Sequence, residues 1–213
     1  MAVDRDITLY HSPNSRSSGV LTLLKELDAP FELRVVNIKA GAQRQGAYLS
    51  INPMGKVPTV KHGHAIITEQ VAIYIYLADL FPEAGLAPAL DDPLRGPYLR
   101  WLVFYAASFE PAIVDRALKR DPAPATMSPY GDYDTMLKTL VDQLAKGPYL
   151  LGERFCAADV LWGTALTWTM AWKLVPEQPE ITAYLARWSA RPSVAEVKGI
   201  DAELVAAQNQ TAS

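Results

Sequence analysis

The sequence predicts an α/β domain followed by an all-helical one. Three observations predict it. Strand and helix patterns alternate through the first eighty or so residues. No convincing strand follows "PEAGLAPALDDP". Beyond that point apolar residues recur at helical spacing. The chain has 213 residues and half are hydrophobic, so a sizeable core can be buried.

The elements justify this in order. Residues 7–10 read as a short strand, and Val20, Leu23, Leu24 and Leu27 follow at helical spacing until "DAP" stops the run. Phe31, Leu33 and Val35 alternate with Glu32 and Arg34, which predicts a strand with one polar side. Residues 42–51 carry only a weak helical pattern. "VPTVK" and "AIIT" read as two strands of a hairpin turning at "HGH". Val71, Tyr74, Ile75 and Ala78 mark a helix that ends near "FPEAG". The boundaries that result are a first domain over 1–84, a linker over 85–92 and a helical domain over 93–213. In the second domain, Trp101, Phe104, Tyr105 and Ser108 lie at helical spacing, and further helices are expected over 130–146, over 157–173, and in two shorter stretches near 179–190 and 193–207.

Composition narrows the function. The net charge is −3 and no Lys/Arg cluster stands out, which argues against nucleic acid as a partner. The uncharged run Val160–Trp172 is too short to span a bilayer and reads as a buried helix. The opening "MAVDRDI" has acids and no apolar run, so no signal peptide is expected there. The tail "AAQNQTAS" is polar and is expected to fray. One cysteine, Cys156, leaves no intrachain disulfide framework and no CxxC site. A cytoplasmic protein without a membrane partner is the expectation. His62 and His64 flank a turn glycine without a nearby Cys or carboxylate, so no metal site is expected.

Two stretches carry chemistry. In "NPMGKVPTV", Pro58 begins a predicted strand, where its missing N–H is tolerated. A cis Val57–Pro58 bond there would leave the Val57 backbone free to pair with an extended, peptide-like ligand; a trans proline opening an edge strand is the plainer alternative. Ten residues on, Thr68, Glu69 and Gln70 stand at a strand-to-helix junction. Thr68 is the expected N-cap. A helix N-terminus favours an anion and Glu69 can hold an ammonium, so the pair suits an α-amino-acid head group; ordinary capping, with Glu69 in the first turn, is the plainer reading.

"NPMGKVPTV" followed by "ITEQVAIYIYLADLFP" resembles the soluble glutathione transferases. "YHSPNSRSSGVLTLLKELDAPFELRVVNI" resembles the start of many bacterial members, and "LLGERFCAADVLWG" resembles their capping motif in the helical domain. The resemblance covers nearly the whole chain. It implies a thioredoxin-like α/β N-terminal domain plus an all-α C-terminal domain. It implies a cis Val57–Pro58 bond, with the Val57 backbone pairing to glutathione and with Glu69 and residue 70 holding the γ-glutamyl group. Residue 70 is often serine in the family; Gln70 offers its backbone N–H and an amide instead. Lys56, beside the turn, can reach the glycyl carboxylate or stand as a solvated turn lysine. Glutathione enters as co-substrate, no bound cofactor is implied, and a homodimer is.

Such a transferase needs a thiolate. A free thiol has pKa about 8.5, and lowering it by two units takes about 2.7 kcal/mol, which a hydroxyl donor and a helix N-terminus can supply. Family members use tyrosine, serine or cysteine after the first strand. Tyr10 falls inside the predicted strand and no cysteine is available there, which leaves the serines. Ser15 ranks first, where loop meets helix; Ser12 is second, Asn14 and Arg16 are further donors, and Ser17 falls in the first helical turn. Ser15 can equally be a plain helix cap, capping and thiolate donation drawing on one hydroxyl. Tyr105 and Phe109 are the candidates for holding the electrophile, although either can be core. Trp168 and Trp172 read as core, and Cys156 with Asp159 as a capping box. The leading reading is activation of glutathione for attack on a small hydrophobic electrophile. Dehalogenation, ether cleavage or disulfide reduction on the same site, or binding without catalysis, are the alternatives.

Overall fold

The structure is a computed structural model in which residues 6–121 and 123–210 are described. The opening residues 1–5 and the last three, 211–213, on which the expectations about the leader and part of the tail fall, lie outside the described residues. The chain divides into two compact units. One contains the chain up to Ala84 together with the chain from Arg191, and the other is Gly85–Ala190.

The first unit is built on a sheet of strands β1 (Ile7–His11), β2 (Glu32–Val35), β3 (Thr59–His62) and β4 (Ala65–Ile67), in the order β2-β1-β3-β4. β1 runs parallel to β2 and antiparallel to β3, and β3 is antiparallel to β4. Every residue of β1 is buried. Helix α1 (Arg16–Glu26) connects β1 to β2 and seals the core with Val20, Leu21, Leu23 and Leu24, all fully buried. The ambiguous 42–51 segment becomes a 3-10 turn and the four-residue helix α2 (Gly46–Leu49). Helix α3 (Gln70–Leu80) follows β4 and buries Ile73, Tyr74, Leu77 and Ala78. One difference concerns β2: the alternation predicts a buried apolar side, but Val35 is 44% exposed because β2 is an edge strand.

The second unit contains α4 (Arg95–Phe104), α5 (Glu110–Ala117), α6 (Tyr133–Leu144), α7 (Ala157–Ala171) and α8 (Pro179–Ser189). Between α4 and α5 the backbone widens into a π-helical turn over Tyr105–Phe109, where the Glu110 N–H donates to the Tyr105 carbonyl. Pro111 explains the widening: it has no N–H to give, and in a regular α-helix its ring would collide with the carbonyl four residues back. Trp162 of α7 is the centre of this core. Its Nε1–H donates to the Trp101 carbonyl at 2.9 Å, and its ring packs on Trp101, Tyr105 and Phe109. Tyr105 and Phe109 are 1% and 0% exposed, so as a correction they are core residues around Trp162 rather than an open wall for an electrophile. Trp172 also departs from expectation, being 71% exposed at the end of α7.

Segment 85–92 is not a free linker. Arg154 donates to Asp92 and to the carbonyls of Gly85 and Ala87, and the Ala157 N–H donates to the Leu86 carbonyl at 2.8 Å. The last helix also changes allegiance. Predicted as part of the helical domain, α9 (Pro192–Gln210) belongs to the first unit and continues through most of the tail expected to fray. Glu26 of α1 accepts from Arg191 and Ser193, and Lys25 pairs with Glu196 at 2.6 Å.

Candidate active site

Register decides which loops meet. Tyr10 of β1 lies opposite Thr59, and Val60 opposite Ile67, so the exits of β1 and β4 and the entry to β3 share one end of the sheet. Ser12–Ser15, Val57–Pro58 and Thr68–Gln70 are thereby brought to that end.

After β1 the chain turns sharply through Asn14, whose φ is +54°, and enters α1 at Ser15. Ser15 is the N-cap. Its hydroxyl accepts from the Ser17 N–H at 3.1 Å and stands 2.7 Å from the Ser12 carbonyl, to which it donates. Capping therefore uses a lone pair of Ser15 and leaves the proton to a different partner. Ser15 is partly exposed, Asn14 and Arg16 are exposed, and Ser12 is only 2% exposed.

The second loop is held from beneath. Gly55 has φ +58°, and a Cβ there would fall 2.7 Å from the Gln43 carbonyl, so this turn requires glycine. The Lys56 carbonyl accepts from Tyr48 Oη at 2.6 Å and from Asn52 Nδ2 at 2.9 Å, while the Lys56 side chain is exposed. The Val57–Pro58 bond is cis. Val57 packs against the small cluster of Tyr10, Val36 and Tyr48, the two tyrosines meeting edge-on at 5.8 Å.

At the third loop the N-cap of α3 is Glu69, not Thr68. Glu69 has φ +63° and ψ 113°, a conformation that costs a non-glycine residue about 1–3 kcal/mol. Its carboxylate makes no capping bond and the residue is exposed. The α3 N-terminus thus keeps free N–H groups beside an outward carboxylate. Gln70 reaches back, its Nε2 donating to the Arg16 carbonyl at 3.2 Å, and this ties α3 to the start of α1.

Beneath Ser15 runs a buried polar chain that sequence reasoning missed. Ser17 Oγ lies 2.7 Å from Ser15 Oγ and 2.8 Å from His11 Nδ1, and His11 Nε2 lies 2.9 Å from Asp201 Oδ1. Ser17 and His11 are fully buried and Asp201 is 5% exposed. The other Asp201 oxygen accepts from the Asn14 N–H at 2.9 Å and the Ser18 hydroxyl at 2.6 Å. Burial pushes the Asp201 carboxyl upward, but hydrogen bonds from His11, Ser18 and Asn14, together with the charge His11 carries when protonated, outweigh it and hold the group below its ordinary value. A signal did exist: Ser193, Val197 and Asp201 recur every four residues along one stripe of α9, with a carboxylate where an apolar residue would be expected.

The four-stranded mixed sheet with helices, joined in sequence to an all-helical unit, defines a thioredoxin-like protein with a helical second domain. Known proteins agree. Residues 5–79 match the family model "Glutathione S-transferase, N-terminal domain". The glutathione S-transferase GstA of Escherichia coli O157:H7 is 29% identical over 191 residues, covering 87% of this chain and 94% of that protein. The crystal structure of a glutathione transferase from Methylococcus capsulatus has a TM-score of 0.77 at 30% identity, covering 92% of this chain and 98% of that one. A sphingomonad glutathione S-transferase, solved in complex with glutathione, has a TM-score of 0.74 at 29% identity, covering 92% and 98%. The chain belongs to the glutathione S-transferase family. Among the described residues no helix is long and apolar enough to cross a membrane.

Proposed function

We propose that this protein is a glutathione transferase that binds glutathione along the Val57–Pro58 and Glu69 loops and turns its thiol toward Ser15. One observation carries the reading: a partly exposed hydroxyl at the N-terminus of α1 shares one sheet end with an outward carboxylate at the N-terminus of α3. The sphingomonad relative, solved with glutathione bound, supports glutathione as the ligand. In this reading the Val57 backbone pairs with the cysteinyl segment. Glu69 takes the ammonium of the γ-glutamyl group, the N–H groups around Gln70 take its carboxylate, and Lys56 the glycyl carboxylate. Ser15 swings its proton from the Ser12 carbonyl to the sulfur, and the positive end of α1 adds to the preference for thiolate. Asn14 and Arg16 stand beside it as secondary donors, while Ser12, buried, contributes its carbonyl. The thiolate then attacks an electrophilic carbon of a small apolar substrate, and the working species is a homodimer.

Calorimetric titration with glutathione, paired with conjugation of an aromatic chloride, tests this. Wild-type protein is expected to bind and to turn over. Ser15→Ala is expected to bind within about two-fold and to lose about a hundred-fold or more in kcat, the scale of one well-placed donor. Glu69→Ala is expected to lose about ten-fold or more in glutathione affinity, the scale of a charged hydrogen bond. Full turnover in Ser15→Ala would remove Ser15 from the chemistry, and absence of glutathione binding in the wild type would remove the whole reading.

A further inference from the structure

We propose that His11 is the acceptor of the proton that leaves the thiol, reached through the hydroxyls of Ser15 and Ser17 and held in place by Asp201. This rests on the reading above, in which a glutathione thiol faces Ser15. The geometry is continuous: Ser15 Oγ to Ser17 Oγ is 2.7 Å, Ser17 Oγ to His11 Nδ1 is 2.8 Å, and His11 Nε2 to Asp201 Oδ1 is 2.9 Å. Asp201 sets the tautomer. Its carboxylate can only accept, so the ring proton sits on Nε2 and the lone pair of Nδ1 faces Ser17. Each ring nitrogen has one partner, and the carboxylate behind it is further bound by the Asn14 N–H and the Ser18 hydroxyl.

The step balances. The S–H bond breaks and its proton goes to Ser15 Oγ. The proton of Ser15 passes to Ser17 Oγ, and that of Ser17 to His11 Nδ1. A thiol and a neutral imidazole become a thiolate and an imidazolium, and the imidazolium remains paired with Asp201. Nothing is oxidised or reduced. When the sulfur is alkylated, the imidazolium loses the anion it balanced and returns its proton to water as product leaves. Of the elements around the ring, α9 presents Asp201, α1 presents Ser17 and β2 pairs Val35 with His11. His11, Ser17 and Asp201 are thus positioning residues that act through Ser15. They explain why a carboxylate of the last helix is brought under the first loop.

A purely structural role for the same bonds makes a different prediction, and proton counting separates the two. Glutathione is titrated into the full-length protein near pH 8, where an ordinary imidazole is mostly neutral. Calorimetry in buffers of different ionisation enthalpy gives the protons released, and ultraviolet absorption of the bound thiolate gives the fraction ionised. The relay keeps the proton inside the protein, so wild type is expected to form thiolate with close to zero net release. Ser17→Ala cuts the path, so it is expected either to lose bound thiolate or to release about one proton per thiolate formed. Asp201→Asn removes the counter-charge and is expected to lower the thiolate fraction several-fold while glutathione binding stays within about two-fold. Wild-type release equal to the thiolate formed would overturn the proposal whether or not the variants fold. So would thiolate without release in Ser17→Ala, or glutathione bound in the wild type with no thiolate. If the wild type binds no glutathione, the functional reading falls first and the relay with it.

Discussion

A single hydroxyl can serve two masters when one needs its lone pair and the other its proton. At Ser15 the cap takes a lone pair, through the Ser17 N–H, and the proton points to the Ser12 carbonyl, so helix capping does not compete with donation to sulfur. Cys156 shows the opposite economy. It is the N-cap of α7 and its thiol is 3.2 Å from Asp159 Oδ2, to which the Cys156 N–H also donates at 2.9 Å. Burial, the Asp159 charge and the hydrogen bond to that carboxylate push the thiol well above its ordinary pKa, so it stays protonated and serves as a weak donor. A serine hydroxyl is a stronger donor in the same place and a better cap. Cys156→Ser is therefore expected to leave the melting temperature unchanged or raise it by about 2–4 °C, the effect of about 1 kcal/mol in a chain of this size. Differential scanning calorimetry checks it, and a fall of several degrees would mean that packing of the sulfur outweighs the hydrogen bond.

Elements were legible where one face repeats. The Val20, Leu23, Leu24 and Leu27 spacing marks α1, and the apolar run 157–173 marks α7, because burial of a stripe is a local property of sequence. Three features were not, each for a physical reason. The edge position of β2 depends on strand order, which a single strand does not encode. The π-helical turn comes from one proline acting on carbonyls a full turn earlier. Trp172 falls past the last buried turn, so spacing alone placed it in the core. Of the site, the loops and the proline at Val57–Pro58 were readable, while the need for glycine at Gly55 was not. The buried chain behind Ser15 was not, since its members come from β1, α1 and α9. Helix contacts leave a sharper test at Gly163. A Cβ there would fall 2.3 Å from the Trp188 ring, which is itself 4% exposed, so α7 and α8 approach closely only because this residue has no side chain. Gly163→Ala gains about 1 kcal/mol of helix propensity but overpacks a filled interface, which typically costs about 1–3 kcal/mol. Net destabilisation is expected in urea unfolding, and a stabilised variant would show that Trp188 has room to move.

At the scale of the whole chain, the first unit is closed by its far end, and charge does the fastening. Glu26 of α1 meets Arg191 at 2.7 Å through Nε and at 2.5 Å through Nη2, and also accepts from Ser193. Read along the sequence, Glu26 and Asp201 look like ordinary solvated acids; their partners are separated by 165 and 190 residues, beyond any local pattern. The acid response follows from the shifts. Burial pushes Glu26 up, but hydrogen bonds from Arg191 and Ser193 and the Arg191 charge outweigh it and lower its pKa, and Asp201 is lowered in the same way. A carboxyl lowered in the fold stabilises above its unfolded pKa of about 4, and that contribution is lost as pH falls through the folded value. Asp159, in the other unit, runs in the opposite sense. Burial raises it to about 6, so its contribution is largest below about 4 and is lost as pH rises toward 6. Of these three carboxyls, the two that fasten α9 lose their contribution in acid, and the one at the α7 cap does not. Glu26→Gln keeps the shape and removes the charge that faces Arg191. It is expected to cost about 1–3 kcal/mol at neutral pH. In urea unfolding the gap between wild type and Glu26→Gln should then shrink steadily below about pH 4, where the wild-type carboxyl also loses its charge. A gap that stays constant from neutral to acid pH would mean that shape and packing, not charge, hold α9 to α1.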